Sequence, residues 1–196
     1  MGPDVELMVD AGGSGAFWPH GYKWALRTSA MLAAHSVAWF EEPLPPDDLA
    51  GYALLTNNAP LPIASCEVLT RRQAFAPWIE GRAVDIVQPD TTKVGGISEA
   101  HAIGLSACEH GLRLVPHGWN TAVGLAADLH LVASLPNGRW VEYLVPTPYI
   151  DDLVTDPFTL DEDGYLPVPD APGLGIPWNP EAIHHYTGRR LTESPG

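Results

Sequence analysis

The sequence predicts an α/β fold, a partial (β/α) barrel of the TIM type. Two observations carry that expectation. Six short apolar runs alternate with helix-like segments along the 196 residues. A polar residue stands at or near the end of each run: Asp10, Glu41, Glu67, Asp90, His117 and Glu142. Successive members lie roughly 23 to 31 residues apart, the length of one strand, one helix and two loops. In such a barrel the C-terminal ends of different strands converge on one site, so the placement of these six residues is more informative than their identity. A complete barrel takes about 250 residues. The length therefore accommodates about six of eight strands.

The strand-like runs are residues 5–9, 37–40, 63–65, 84–87, 113–115 and 139–141. Between them, residues 22–34 are rich in Ala and Leu and read as the first helix. Asp47 and Asp48 are placed to cap a second helix running to about Asn57, closed by Pro60 and Pro62. Thr70 is placed to cap a short helix over 71–76, with Pro77 as its stop. A fourth helix over 98–109 follows Gly95-Gly96 and ends at His110-Gly111. Thr121 is placed to cap a fifth over 122–135, ended by Pro136-Asn137-Gly138. After Val145 the pattern stops. The partial barrel is thus assigned to residues 1–145, a Pro-, Asp- and Gly-rich wrapping segment to 146–188, and a disordered tail to 189–196.

The residue types then narrow the chemistry. Asp10, Glu41 and Glu67 offer three hard oxygen ligands on successive strands, a set suited to Mg²⁺. Asp90, one unit before His117, is placed to bond one ring nitrogen and leave the other free to move a proton. Glu142 closes the series as a holder of a substrate oxygen or a second acid. Any one such acid alone reads as a helix N-cap or a solvated loop residue; the ordered set argues for a site. The remaining histidines fall on helices, loops or the tail. Adjacent His184 and His185 do not share a helical face. Gly95-Gly96 lacks the fuller glycine pattern and the Lys-Ser or Lys-Thr of a phosphate loop. Trp18, Trp119 and Tyr143 lie in loops at the catalytic end, as pocket lining or as packing; no substrate-binding residue is assigned.

Six motifs in order carry a resemblance: Val-Asp-Ala (9–11), Trp-Phe-Glu-Glu-Pro-Leu (39–44), Ile-Ala-Ser-Cys-Glu (63–67), Asp-Ile-Val-Gln-Pro-Asp (85–90), Lys-Val-Gly-Gly-Ile-Ser-Glu (93–99) and Pro-His-Gly-Trp-Asn (116–120). Over about residues 5 to 180 the chain resembles the enolase superfamily, in its mandelate-racemase-like branch with the acid-sugar dehydratases. The resemblance implies that Asp10, Glu41 and Glu67 hold Mg²⁺. It implies that His117 is the general acid/base with Asp90 behind it, and that Glu142 contacts the substrate carboxylate or enediolate. Lys93, catalytic in a different branch, and Glu42 are expected to support these groups. The implied reaction is removal of a proton α to a carboxylate, leading to dehydration of a sugar acid to a 2-keto-3-deoxy acid. A racemase or epimerase on the same scaffold and an inactive truncated fragment are the alternatives.

Three departures stand out. The family's N-terminal capping domain and first two strands have no counterpart here, so residues 5–9 are expected to be its third strand and the base on its second strand is absent. Cys66 replaces a glycine before the third ligand, where a side chain strains the backbone if φ is positive. Gly12 stands where the family often has Asn.

The formal net charge of −14 argues against nucleic acid or an anionic membrane surface as partner. The expected partner is a small carboxylate, with homo-oligomers in a full-length protein. Two cysteines make no disulfide framework, which with the missing signal-peptide pattern points to the cytoplasm.

Overall fold

A computed structural model describes residues 5–12, 21–145 and 147–187. Trp18, His20 and the tail at 189–196 lie outside the described residues. Among the described residues five strands appear: β1 (Leu7–Asp10), β2 (Val37–Glu41), β3 (Ile63–Ser65), β4 (Ile86–Val87) and β5 (Arg113–Leu114). They pair side by side in chain order, all parallel. One helix follows each strand: α1 (Tyr22–Ala33), α2 (Leu49–Asn58), α3 (Arg71–Glu80), α4 (Ile97–Glu109) and α5 (Ala122–Ala133). Two short helices, α6 (Pro148–Asp151) and α7 (Pro180–Tyr186), lie in the C-terminal segment, where the sequence gives no periodic signal.

Strand alternation sorts the core into two faces. Val9, Phe40, Ile63, Val87 and Leu114 pack outward against the helices. Met8, Trp39, Ala64, Ile86 and Val115 meet Trp140 on the concave face. Counting two residues onward from Met8, Trp39, Ile86, Val115 and Trp140 reaches Asp10, Glu41, Gln88, His117 and Glu142. A third cluster joins Ala122, Leu125 and Leu129 of α5 to Ile150, Val154 and the part-buried Val141 and Tyr143. The C-terminal segment is therefore packed on α5. Among the described residues no helix is long and apolar enough to cross a membrane.

The sixth strand, expected at 139–141, is not a ladder. Only Gly138 forms an isolated parallel bridge, to Leu114. The reason lies in β5. The N–H groups of Arg113, Val115 and His117 bond back to Asp85, Val87 and Pro89 carbonyls. In a parallel strand the intervening donors serve the opposite edge. Those are Leu114 and Pro116, and proline has no N–H to give. One donor remains, and one bridge forms.

Two further expectations are corrected. Pro77 does not stop α3, which runs on to Glu80. Phe75, Trp78 and Ile79, all buried, anchor the helix on both sides of the exposed Pro77. Nor do the Thr70 and Thr121 side chains cap their helices. At α3 the first donors are taken from outside: Arg71 N–H bonds Val94 O at 3.0 Å, and Arg72 N–H bonds Glu99 Oε1 at 2.8 Å. Asp48 does cap α2, accepting from Gly51 N–H at 2.9 Å.

Candidate active site

Backbone ladders continue past the assigned strand ends and set the site. Ala11 N–H bonds Glu41 O, Glu42 N–H bonds Ala64 O, and Gln88 N–H bonds Ser65 O. Asp10 is thereby paired with Glu41 in register. His117 N–H bonds Pro89 O at 3.3 Å, which brings the His117 and Asp90 side chains together from adjacent units.

The Asp90 and His117 side chains are in contact. His117 Nδ1 lies 2.9 Å from Asp90 Oδ2, and Asp90 is fully buried. Burial alone would raise the Asp90 carboxyl. The hydrogen bonds from His117 and Thr92, with the nearby Lys93 charge, outweigh it and hold the group well below the usual carboxylate range. An ionised carboxylate only accepts, so Nδ1 carries the proton and donates. Thr92 donates its N–H and its hydroxyl to Asp90 Oδ1, at 2.8 and 2.6 Å. Lys93 Nζ lies 3.2 Å from Asp90 Oδ2. The other ring nitrogen, Nε2, faces Glu67 Oε2 at 3.2 Å. Burial lowers the His117 pKa, yet the bond to Asp90 and the charges of Glu67 and Glu142 raise it further, for a net upward shift.

Glu142 reaches the same site from residues with no ladder of their own. Its Oε2 accepts from Gly118 N–H at 2.6 Å, and Gln88 Nε2 lies 3.5 Å from its Oε1. Gly118 is required for this approach: a Cβ there would sit 2.6 Å from both Glu142 Cβ and its carbonyl oxygen. Burial, then the charges of Glu67 and Asp10, push the Glu142 carboxyl up against the opposing Gly118 bond and His117 charge.

The three expected metal ligands are less tightly gathered. Among the described residues no group of three His, Cys, Asp or Glu side chains is drawn together closely enough to hold one ion. Glu67 is engaged by His117 and lies 3.9 Å from Lys93 Nζ. Asp10 Oδ1 accepts from Gly12 N–H at 2.6 Å, and Gly12 has φ 65°. Glu41 accepts from Trp39 Nε1 at 3.4 Å. Burial first, then Glu142 and Asp10, push the Glu41 carboxyl up to about 8. Burial, Glu67 and Asp10 push Glu42 to about 7, while Ser65 donates to it. Such mutually repelling hard oxygens suit a divalent cation in donor chemistry, which would offset their charge.

Two residues were missed by sequence reading. Gln88 is fully buried between Glu41 and Glu142. Its signal was present: it lies two residues beyond Ile86, on the concave face. Asp128 is buried in α5, a lone acid within an apolar helix. Tyr143, left open between pocket and packing, is committed to packing. Its hydroxyl bonds Asp151 Oδ1 and Phe158 O, and its ring meets Phe158 edge-on. Trp119 is exposed.

The Enolase C-terminal domain-like family model matches residues 1–182. The chain is 34% identical over 197 residues to D-galactarolactone cycloisomerase of Agrobacterium fabrum, covering 95% of this chain and 50% of that protein. It is 36% identical over 176 residues to arabinonate dehydratase of Saccharolobus solfataricus, covering 89% and 45%. The chain thus spans about half the length of the curated relatives it matches. Among solved structures, 3,6-anhydro-D-galactonate cycloisomerase from Zobellia galactanivorans superimposes with a TM-score of 0.84 at 33% identity, over 94% of this chain and 51% of that one. A mandelate racemase/muconate lactonizing enzyme from Sulfitobacter sp. gives 0.77 at 36% identity, over 84% and 41%. A parallel strand–helix repeat with an Asp–His pair and acids at its strand ends, matched by these proteins along nearly its whole length, belongs to the C-terminal barrel domain of the enolase superfamily, in the mandelate racemase/muconate lactonizing group.

Proposed function

We propose that the chain carries the proton-transfer half of an acid-sugar dehydratase site, in which His117 is the general acid/base. The observation that supports this most is the buried Asp90–His117 pair, whose remaining nitrogen faces the acidic cluster. Ionised Asp90 fixes the ring with Nδ1 protonated, leaving Nε2 to give or take the substrate proton. Lys93 and Thr92 keep Asp90 ionised through the cycle. Glu142, held by Gly118 and Gln88, would bond a substrate oxygen. Asp10, Glu41 and Glu67 would hold Mg²⁺. When bound, such an ion stabilises negative charge building on a substrate carboxylate. Once a base has taken the α-proton, the β-hydroxyl would leave as water with His117 as acid, and the resulting enol would take up a proton at C3 to give the 2-keto-3-deoxy acid.

The match to D-galactarolactone cycloisomerase supports a second reading, isomerisation of a sugar-acid lactone. Mass spectrometry separates the two, since a dehydratase product is lighter by one water and an isomerase product is not. Deuterium uptake from D₂O without any keto acid would indicate a racemase instead. The decisive variant is His117→Asn. Assayed on a panel of sugar acids within a complete barrel, it is expected to lower kcat by about 10²-fold or more with Mg²⁺ affinity nearly unchanged. A loss of under about tenfold would remove His117 from the mechanism.

A further inference from the structure

One buried acid takes no part in the proposed reaction. Asp128 is 1% exposed, on the α5 face turned to the loop after β4. Its Oδ1 accepts from Thr91 Oγ1 at 2.7 Å, and Thr91 is itself buried. Thr91 follows Asp90 directly. α5 begins five residues after His117. The Thr91–Asp128 bond therefore ties the helix that leaves His117 to the turn that carries Asp90. On its other side, Asn120 is the neighbour of the same carboxyl. Gly124 permits that packing, because a Cβ there would overlap the Asn120 amide. Asp128 Oδ2 and both polar atoms of the Asn120 side chain are buried without a hydrogen-bond partner among the described residues.

We propose that Asp128 and Thr91 are positioning residues that hold the Asp90–His117 hydrogen bond in place from behind. This rests on the dyad reading above. A buried acid costs stability unless it is neutral and bonded. Both conditions are met. Burial pushes the Asp128 carboxyl up to about 8, Asp90 and Glu142 add to the rise, and the Thr91 bond opposes it. The group is thus protonated near neutral pH, and an amide can replace it in shape and bonding.

The test uses the whole ¹⁵N-labelled chain and the His117 Nδ1–H proton, assigned by its loss in His117→Gln. In the wild type this proton is expected to be protected from exchange. Asp128→Asn should keep both its chemical shift and its protection. Thr91→Val and Asp128→Ala should move the signal and speed its exchange by about tenfold or more. Melting midpoints, recorded in parallel, report stability separately. If Asp128→Ala does not fold, Thr91→Val decides. A Thr91→Val chain with a lower midpoint but an unchanged Nδ1–H signal would reduce the pair to a structural contact and overturn the proposal. Loss of the signal in Asp128→Asn, or no protected proton in the wild type, would overturn it too. The readout needs no substrate. The positioning can thus fail while His117 catalysis stands, and His117 can prove dispensable for turnover with the signal intact.

Discussion

Cys66 holds φ at 101°, and its thiol is buried. Only glycine takes that conformation without strain, and a side chain there costs on the order of 1–3 kcal/mol. Burial, then the Glu42 charge, push the thiol pKa well up, so it is a poor nucleophile in the folded chain. Comparing Cys66→Gly with Cys66→Ala isolates the backbone effect, because both lose the same thiol. In an ordinary helix the alanine variant would be the more stable. Here the glycine variant is expected to be more stable by about 1 kcal/mol, read from denaturant midpoints at equal m. Equal midpoints would mean that the backbone at 66 relaxes away from positive φ. This strain was legible before the structure, because a glycine-type position in a recognised motif carries a cysteine.

At the scale of elements, α3 shows tertiary packing overriding a local signal. Pro77 removes one N–H from the helix interior and leaves the Gln73 carbonyl without its i+4 donor. Gln73 and Pro77 are both on the exposed side, where water can serve that carbonyl. The buried face carries Phe75, Trp78 and Ile79. Interior proline is about 3 kcal/mol worse than alanine in isolated helices. Pro77→Ala is therefore expected to raise stability by about 1–3 kcal/mol, measured as an upward shift of the thermal midpoint. An unchanged or lower midpoint would show that the ring is fitted into the packing. The strands were the most legible elements, since β2 and β3 are short, largely apolar and each followed within two residues by an acid. The sixth failed because its apolar pattern says nothing about the donors its neighbour can offer, and Pro116 had withdrawn one. The Asp–His contact was legible from order along the chain. Gln88 and Asp128 were not singled out, because an amide or a lone acid in an apolar run looks the same whether it faces a site or a gap in the packing. Least legible was that the Asp10, Glu41 and Glu67 side chains, among the described residues, are not drawn into one metal-binding group. Order along strands fixes which ends are neighbours and leaves side-chain direction to local partners such as Lys93.

At the scale of the whole molecule, the strands of the described residues form an open sheet. β1 pairs with β2 along one edge and, among the described residues, with no strand along the other. Val5 and Leu7 are exposed there, at 57% and 44%. An uncovered edge with apolar side chains is a template for another strand. The chain expressed alone is therefore expected to self-associate with rising concentration, as measured by light scattering after gel filtration. Leu7→Lys, which puts a charge on that edge, should shift the population towards monomer without changing the far-ultraviolet circular dichroism. Monodisperse monomer in the unmodified chain would show that the edge is protected.

The contact between Trp39 and Glu41 gives the site an optical reporter. The indole is 6% exposed, and its N–H lies 3.4 Å from a Glu41 carboxylate oxygen. The electric field at that ring changes whenever the charge on Glu41 is neutralised or captured. Emission from Trp39 should thus follow occupancy of the acidic cluster directly, with no label and no turnover. Adding Mg²⁺ to the chain is expected to produce a saturable change in fluorescence that disappears in Trp39→Phe and in Glu41→Gln. A response that survives both substitutions would come from another of the seven tryptophans and would place the ion elsewhere.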